Sequence, residues 1–369
     1  MTANLTELPD EEGTTFKPFE QDTLSDAEDV VKVAFGELGI PILRKILRNP
    51  LKEEFPHIEY GDIAYSDSRP VGFEALILRR LYIGKRQILG VAGSTMGIKP
   101  ETSPLVLLSL MKRNITPRSS SVMWFANTAN DVSVKLNGKL GIKGRGPETW
   151  GVNRYAIIHP LAFMMSIVRR KILKQSCAPE TVKGFSRHYS KVVAYGDVEV
   201  FRMMHFDVSI FDAFWFEYLK GNKGLVSSRS ANELDWIFGD NVAEGKDVLL
   251  VAMRYKSIIG YIVIRSGENN WWRIVDMIAD DNDAGIIEVL LKGAKMFLRK
   301  RTRAALLISR GFPGFAAEPI GRQLPRCRII GANSFLWHFS DGEMINGNAD
   351  IANSNQGCFF GPYDGDACL

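Results

Sequence analysis

The stretch NTANDVSVKLNGKLGI, residues 127–142, carries the most information about the fold. It follows the strand-like run SVMWFA and places one asparagine, Asn127, at the strand end and a second, Asn130, at the start of the next element. Its apolar residues then recur at helical spacing, and Gly141 suits a helix end in the left-handed region. These apolar residues are Val132, Leu136 and Leu140. A strand that feeds directly into an amphipathic helix is therefore predicted here.

Outward from this stretch, two halves of the chain share one order of elements. In the first half the strand TTFKPFEQDT precedes the helix SDAEDVVKVAFGELG, in which Ser25 and Glu28 have capping-box spacing. In the second half the strand VEVFRMMHFD precedes the helices SIFDAFWFEYLKGN and SANELDWIFG, in which Ser230 and Glu233 repeat that spacing. The runs GDIAYSDSRPVGFEALIL and KDVLLVAMRYKSIIGYIVIR both predict hairpins. The shared order is β-α-α-β-β-β-α-β-α-β.

This order predicts an α+β protein with two similar domains, each a mixed, mostly antiparallel sheet flanked by helices. The length of 369 residues fits two domains at ~150 residues each. The predicted division is a flexible N-terminus (1–14), a first domain (15–168), a connector (169–195), a second domain (196–345) and a C-terminal loop or tail (346–369). The alternative is that two α+β domains share this alternation of strands and helices by chance.

Composition and charge exclude several classes of protein. The chain is 46% hydrophobic and 24% charged, a globular profile, and its net charge of +4 is far from that of a dedicated DNA binder. The N-terminus is acidic and shows no secretory signal, so we expect a cytoplasmic protein. The four cysteines are scattered, which predicts reduced thiols, and the five histidines lack zinc-site spacing, which predicts no metal.

One apolar stretch, residues 161–168, invites a membrane interpretation. It is too short to cross a bilayer, which needs ~20 residues, and the cations Arg169, Arg170 and Lys171 follow it. We expect no transmembrane segment and at most a contact with a membrane surface.

The order of elements resembles the GNAT-type N-acyltransferase superfamily, and the resemblance occurs twice between Thr15 and about Ser340. In that family a strand commonly ends in an asparagine, a second asparagine opens the next helix, and a Leu-Tyr-x-x-Leu-Gly-Phe signature closes it. Asn127 and Asn130 fit, as do the leucines and the glycine that follow. Asn137 replaces the tyrosine that usually acts as general acid, and Ile142 replaces the aromatic residue.

The resemblance implies transfer of an acyl group, typically acetyl, from acetyl-CoA or another acyl-CoA to a primary amine of a small metabolite or amino sugar. The family binds the pyrophosphate at the loop before its main helix, where N–H groups and the helix dipole favour anions. In the first half Ser103 is the predicted N-cap of that helix, and Lys99 adds one positive charge, but the family's glycines are absent. The predicted cofactor-binding residues are Ile98, Lys99, Glu101, Thr102, Ser103, Asn127 and Asn130.

The corresponding loop of the second half is acidic. Asp280, Asp281 and Asp283 would repel a pyrophosphate, and Asp283 is explained as a plain helix N-cap. We therefore expect the acyl-CoA in the first half and the acceptor in the cleft between the halves.

Acyl transfer needs a base for the amine and a donor to the thioester carbonyl. Glu74 and Asp276 are carboxylates on predicted strands, although an exposed strand position, in alternation with Val275 and Met277, is the favoured explanation of Asp276. A bulge near Ser94 and Thr95 would direct N–H groups at the carbonyl, and the aromatic tail could bring Tyr363 or Asp364 into the cleft. The predicted catalytic residues are Glu74, Asp276, Ser94, Thr95, Tyr363 and Asp364.

Two other functions fit the same fold. The missing glycine loop, Asn137 and the acidic second loop favour a catalytically degenerate scaffold that binds a ligand or partner. An aminoacyl-tRNA-dependent transferase, similar to the peptidoglycan bridge-forming enzymes, is the third hypothesis, and the modest net charge argues against it.

Overall fold

The computed structural model describes residues 13–115, 122–129, 135, 138, 142–145, 152–182, 189–310, 316–329, 334–339 and 358–359. The strands of the first half are β1 (Thr14–Pro18), β2 (Gly61–Ser66), β3 (Arg69–Ile83), β4 (Arg86–Ile98), β5 (Val122–Ala129), β6 (Lys143–Arg145) and β7 (Val152–Ile157). Those that follow are β8 (Tyr189–Tyr195), β9 (Val198–Met203), β10 (Leu225–Ser227), β11 (Asp247–Arg254), β12 (Ser257–Ser266), β13 (Trp271–Ala279), β14 (Leu306–Arg310), β15 (Arg326–Ile329), β16 (Ser334–Phe339) and β17 (Cys358–Phe359). The α-helices are α1 (Leu24–Phe35), α2 (Ile40–Leu47), α3 (Leu51–Glu54), α4 (Pro104–Ile115), α5 (Pro160–Lys171), α6 (Val208–Gly221), α7 (Ala231–Leu234), α8 (Asp240–Glu244), α9 (Ala284–Arg301) and α10 (Ala317–Gln323).

The strands form two sheets that follow the predicted mixed, mostly antiparallel plan. The first sheet has the order β1-β2-β3-β4-β5-β16-β6, and the second has the order β15-β7-β14-β13-β12-β11-β9-β8. Both predicted hairpins, β2–β3 and β11–β12, are confirmed by their antiparallel registers. Each sheet contains one central parallel pair, β4–β5 in the first and β13–β14 in the second.

Helices cover both faces of each sheet. In the first sheet, α1 and α2 pack on the side of Phe73 and Ile77, whereas α4 packs on the side of Leu76 and Val91. In the second sheet α6 and α9 contribute to one large core, in which Trp215 and Trp272 are both buried. Within the described residues, no helix has both the length and the apolar character needed to cross a bilayer.

The two sheets exchange strands. β7, which precedes residue 168 in the chain, pairs with β14 and β15 of the second sheet, while β16 pairs with β5 and β6 of the first. β10 also joins the first sheet, because its residues pair with the far end of β3. Residues 169–195, which the sequence predicts as a connector, contain the end of α5 and strand β8 of the second sheet. The predicted domain boundaries therefore stay predictions, since the sheets do not divide the chain at one point.

The helix starts differ from the predicted capping boxes. Helix α1 begins one residue before Ser25, with Thr23 as its N-cap, and Glu28 pairs instead with Arg44 of α2. Ser230 does precede α7, but its hydroxyl donates to the Glu233 carboxylate at 3.5 Å and caps no backbone N–H. Short polar side chains near a helix start have several partners to choose from, and tertiary neighbours decide between them.

A buried polar cluster joins the second half to β3. The backbone N–H of Ser228 donates to the Arg80 carbonyl at 2.7 Å, directly after the β10–β3 pairing. The Arg80 guanidinium lies 4.0 Å from the carboxylate of Glu233, which is buried. Burial raises the pKa of the Glu233 carboxyl, although Arg80 acts in the opposite direction. The junction between the halves therefore contains a carboxyl whose charge is costly.

This charge predicts a pH-dependent contribution to stability. A carboxyl whose pKa is raised on folding stabilises the folded state below its ordinary pKa, and that contribution is lost as the pH rises through the raised value. We expect the stability of Glu233→Gln relative to the wild-type chain to rise as the pH increases from the ordinary glutamate pKa, about 4.3, toward neutral. Urea unfolding of both proteins across this range measures the difference. A difference that does not change with pH would show that Glu233 has an unshifted pKa.

Candidate functional site

The central parallel strands of the first sheet separate after a short paired segment. β4 and β5 pair from Leu89↔Val122 to Ala92↔Phe125. Beyond Ala92, β4 pairs with β3 alone among the described residues, while β5 continues along β16. Unpaired backbone N–H and C=O groups need partners, so the edge of β4 past Ala92 can bind an extended ligand.

A β-bulge lies where the strands separate. Leu76 pairs with Gly93 and Glu74 with Met96, so Ser94 and Thr95 of β4 together oppose one residue of β3. Both are buried, and their hydroxyl oxygens lie 3.3 Å apart. A bulge reorients the backbone N–H groups of the extra residue, as a carbonyl-binding site requires. The structure thus agrees with the bulge predicted near these two residues.

Gly93 admits an aromatic neighbour at the same point. A Cβ atom at this position would lie 2.8 Å from the Trp124 ring, so only glycine allows the indole of β5 to pack against β4. The Trp124 Nε1 atom is buried and has no hydrogen-bond partner among the described residues. A buried indole N–H beside the strand separation is thus available to an acceptor, and sequence reasoning did not identify it.

Two buried carboxylates face each other beside the bulge. Glu74 of β3 is directly opposite Asp62 of β2, and both are almost fully buried. Arg113 of α4 donates to Asp62 at 3.3 Å. Burial raises the pKa of Asp62, and the charge of Arg113 opposes that shift. Glu74 is therefore the predicted carboxylate that lies at the bulge, and Asp62 is a neighbour that the sequence analysis missed.

The loop between β4 and α4 is held to β3. The Lys99 N–H donates to the Val71 carbonyl at 2.9 Å, and the Thr102 hydroxyl donates to the same oxygen at 3.3 Å. The Ser103 hydroxyl accepts the Leu105 N–H at 3.3 Å, as expected of the predicted N-cap. The Lys99 ammonium lies 2.6 Å from the Asp29 carboxylate of α1. Its charge is therefore already shared with an acidic group.

The second sheet repeats the strand separation with different side chains. β13 and β14 pair from Trp271↔Leu306 to Ile274↔Ser309, and a bulge follows at once. Asp276 lies at this bulge and is fully buried, so the exposed-strand interpretation of it is wrong. Arg229 donates to its carboxylate at 3.2 Å, and the Tyr261 hydroxyl donates to the other oxygen. An ion pair occupies the place where the first half has two small hydroxyls.

The loop before α9 is acidic and self-capped. Asp283 accepts the N–H groups of Gly285 at 2.6 Å and Ile286 at 3.3 Å, which confirms it as the N-cap. Burial raises the pKa of Asp280, and the negative charges of Asp281 and Asp283 add to the shift. These carboxylates already repel one another, so a pyrophosphate has no favourable place here.

The structure gathers part of the predicted site. Glu74, Ser94 and Thr95 meet at one bulge, Ile98 ends the same strand, and residues 99–103 form the loop that follows it. Asp276 lies at the equivalent bulge of the other sheet. Asn127 lies in β5, where only the backbone is described, and Asn130, Tyr363 and Asp364 lie outside the described residues. The tail segment Cys358–Phe359 pairs with β10 beside β3, so the chain end does return to the junction of the halves.

No protein-family model and no curated protein matches the sequence. Solved structures do share its arrangement of elements. A GCN5-related N-acetyltransferase from Kribbella flavida aligns with a TM-score of 0.54 at 11% identity, covering 89% of this chain and 72% of that one. A GCN5-related N-acetyltransferase from Anabaena variabilis aligns with a TM-score of 0.52 at 11% identity, covering 89% of this chain and 73% of that one.

The Saccharomyces cerevisiae N-myristoyltransferase with bound myristoyl-CoA aligns over more of both chains. Its TM-score is 0.51 at 10% identity, and the alignment covers 97% of this chain and 93% of that one. Likenesses at this level of identity concern the fold. The chain therefore has the GNAT-type fold, built twice, as its two bulged and separating parallel pairs already indicated.

The ion pair at the second bulge generates a stability prediction. Asp276→Asn removes the negative charge that pairs with the buried Arg229 guanidinium, so we expect the free energy of unfolding to fall by about 3 kcal/mol. Tyr261→Phe removes one hydroxyl donor from the same carboxylate and serves as the comparison, with an expected loss of about 1 kcal/mol. Denaturant unfolding measures both. Equal losses of unfolding free energy in the two variants would show that the negative charge of Asp276 contributes no more to stability than one hydrogen bond does.

Proposed function

We propose that the chain is an N-acyltransferase whose first half binds an acyl-CoA and transfers the acyl group to a primary amine. The separation of β4 from β5 at the Ser94–Thr95 bulge supports this proposal. Past Ala92, the edge of β4 has no strand partner among the described residues, so it can bind the amide groups of a pantetheine arm, and the bulge reorients the backbone at its inner end. Acetyl-CoA and longer acyl-CoA molecules both remain candidates for the donor, and a small-molecule amine is the proposed acceptor.

The pyrophosphate would lie at the N-terminus of α4. This helix has 12 residues and starts at the end of β4, and its first N–H groups carry a partial positive charge. Thr102 and Ser103 add hydroxyl groups, and Lys99 contributes the charge that it shares with Asp29. These groups fit an anion, and the exposed Glu101 is the one acidic side chain within the loop.

The proposed chemistry follows from the residues at the bulge. The amine nitrogen forms a bond to the thioester carbonyl carbon, and the C–S bond breaks with release of the thiol. Backbone N–H groups at Ser94 and Thr95 would stabilise the negative charge that develops on the carbonyl oxygen. Glu74 would accept the proton that the ammonium must lose, and water or the amine itself would supply the proton for the departing sulfur. Because Asn137 replaces the usual tyrosine, no side chain is assigned as the general acid.

The second half is assigned a structural role. Its bulge holds the Arg229–Asp276 ion pair, and its loop is acidic and self-capped. Both features disfavour a bound polyphosphate. We therefore place a single acyl-CoA site in the chain, with the acceptor between the halves.

A ligand-binding scaffold without catalysis is the second candidate. The Lys99–Asp29 pair and the lack of a glycine in the loop at 99–103 favour it, because both weaken the cradle for a phosphate. Isothermal titration with acetyl-CoA and with a long-chain acyl-CoA separates the two functions. Binding of neither donor would leave only the scaffold, whereas release of free thiol in the presence of amines would establish the transferase.

The choice of half can be tested by exchanging the two N-caps. Ser103→Asp keeps a good N-cap, since serine and aspartate cap equally well, but places a carboxylate beside the proposed pyrophosphate. We expect the dissociation constant for CoA to rise about tenfold or more, with unchanged thermal stability. Titration calorimetry measures the affinity.

The matched control is Asp283→Ser, which removes the acidic N-cap of α9. We expect it to leave CoA affinity as it is in the wild-type chain. Tighter binding by this variant, or equal affinity in Ser103→Asp, would move the site to the second half.

The proposed base predicts a kinetic effect. Glu74→Gln keeps the size of the side chain and removes its proton acceptor, so we expect kcat to fall about 100-fold with the acyl-CoA affinity retained. Asp62→Asn, on the neighbouring strand, changes the same buried region and should lower kcat far less. Thiol release under saturating amine measures both variants. Equal losses in the two would mean that the region, rather than the Glu74 carboxylate, controls the rate.

A further inference from the structure

Helix α5 presents its apolar side to solvent. Five apolar residues at helical spacing form one stripe along it and just past its end: Leu161, Met164, Met165, Val168 and Ile172. Four of them are strongly exposed, Leu161 at 82%, Ile172 at 71%, Met164 at 59% and Met165 at 52%. A surface helix of a monomeric domain normally turns such a stripe inward. The stripe is therefore an uncovered apolar surface, which typically marks an interaction site.

The opposite side of α5 is fixed to the second half. Ser166 is buried and accepts a hydrogen bond from the Trp271 indole at 3.2 Å, while the Arg170 guanidinium lies 5.0 Å above the same ring. The Arg169 guanidinium donates to the Cys177 Sγ atom at 3.0 Å. The helix thus cannot simply turn its stripe inward, because its polar side is already bound.

The surroundings of the stripe are cationic. Between Glu148 and Glu180 the sequence holds no acidic residue, and Arg169, Arg170, Lys171 and Lys174 lie at the end of the stripe, whereas the Arg154 guanidinium lies beside Gly321 of α10. The last turn of α9 adds Arg299, Lys300 and Arg301. Arg303, just after that helix, lies with Arg169 in the wall of a pocket beside α5. Two acidic residues lie nearby: Glu180 accepts the Arg303 N–H, and Glu268 is exposed on the turn Glu268–Asn270 that packs against α5.

The pocket beside α5 has a volume of about 360 Å³ and combines apolar and polar walls. Leu161 and Met165 of the stripe line it on one side, and Asn270 and Arg303 line it on the other. The buried Nε2 atom of His159, also in the wall, has no hydrogen-bond partner among the described residues. Polar groups therefore lie next to the apolar stripe. Lipid headgroups lie next to acyl chains in the same way at a bilayer surface.

We propose that α5 docks this protein on the surface of a membrane rich in anionic lipids. The stripe would enter the boundary between headgroups and acyl chains, and the arginines and lysines around it would contact the lipid phosphates. Apolar residues on one side with cations around them are the features by which an amphipathic helix binds an anionic bilayer. The positive charge around the stripe favours an anionic lipid surface over a second copy of the chain, because two copies would bring like charges together.

Vesicle flotation with the full chain tests the proposal. The two vesicle types are pure phosphatidylcholine and an equal mixture of phosphatidylcholine and phosphatidylserine. We expect binding to the mixed vesicles, at least about tenfold weaker binding to pure phosphatidylcholine, and weaker binding to the mixed vesicles at high salt.

Two variants separate the apolar contribution from the charge. Leu161→Ser combined with Met164→Ser and Met165→Ser should weaken binding to the mixed vesicles about tenfold or more, and it should leave folding intact because these side chains are exposed. Lys171→Gln combined with Lys174→Gln should weaken it about fivefold for each charge removed. The control is Val208→Ser with Phe216→Ser, two exposed apolar residues of α6, which should bind as the wild-type chain does.

Three outcomes would overturn the proposal. One is a wild-type chain that does not float with the mixed vesicles, and another is a triple serine variant that floats as well as the wild type. The third is a wild-type dimer, seen by light scattering, that the triple serine variant converts to a monomer without any vesicle binding. That outcome would identify a second copy of the chain as the partner of the stripe.

Discussion

The structure depends on two parallel strand pairs, each of which stays together for four residues within the described part of the chain. A bulge at the end of each pair bends one strand away from its neighbour, so the backbone groups beyond it lose their partners within the sheet. Everything proposed about the site follows from this constraint. β4 leaves β5 after Ala92, the N–H groups that we propose to bind the carbonyl belong to the bulged residues Ser94 and Thr95, and α4 follows the diverged strand after the loop at 99–103.

The two halves have the same strand separation but different side chains at the bulge. Where the first half has two small hydroxyls and a loop with one exposed acid, the second has a buried Arg229–Asp276 pair and three aspartates. Burying an ion pair costs desolvation energy, and removing one partner afterwards costs still more. Such a pair therefore fits a role in the specific packing of an interface better than a role in ligand binding. The two halves are also joined away from the bulge, because β10 pairs with β3 at Leu81–Ile83, the end of that strand far from Glu74.

The order of elements was readable from the sequence because it rests on local signals. Hydrophobic alternation fixed the hairpins, and Asp283 could be identified as an N-cap from its residue type and its place before an apolar run. Strand exchange left no such signal, since β7 and β16 have ordinary strand patterns and their partners lie far away in the chain. For the same reason Asp276 was open to an exposed interpretation: its partner Arg229 is 47 residues away. Trp124 was missed because its importance comes from Gly93, a contact between two strands.

Helix α5 has an apolar periodicity that predicts the helix but not the direction in which its apolar side faces. Its apolar spacing predicts an amphipathic helix equally well whether the stripe faces the core or the solvent. The orientation is decided by Trp271, which holds Ser166 and Arg170 on the inner side, and by the strand β7 that delivers the helix to the second sheet. The strand exchange that joins the halves therefore also places an apolar stripe, surrounded by cations, on the outside of the molecule.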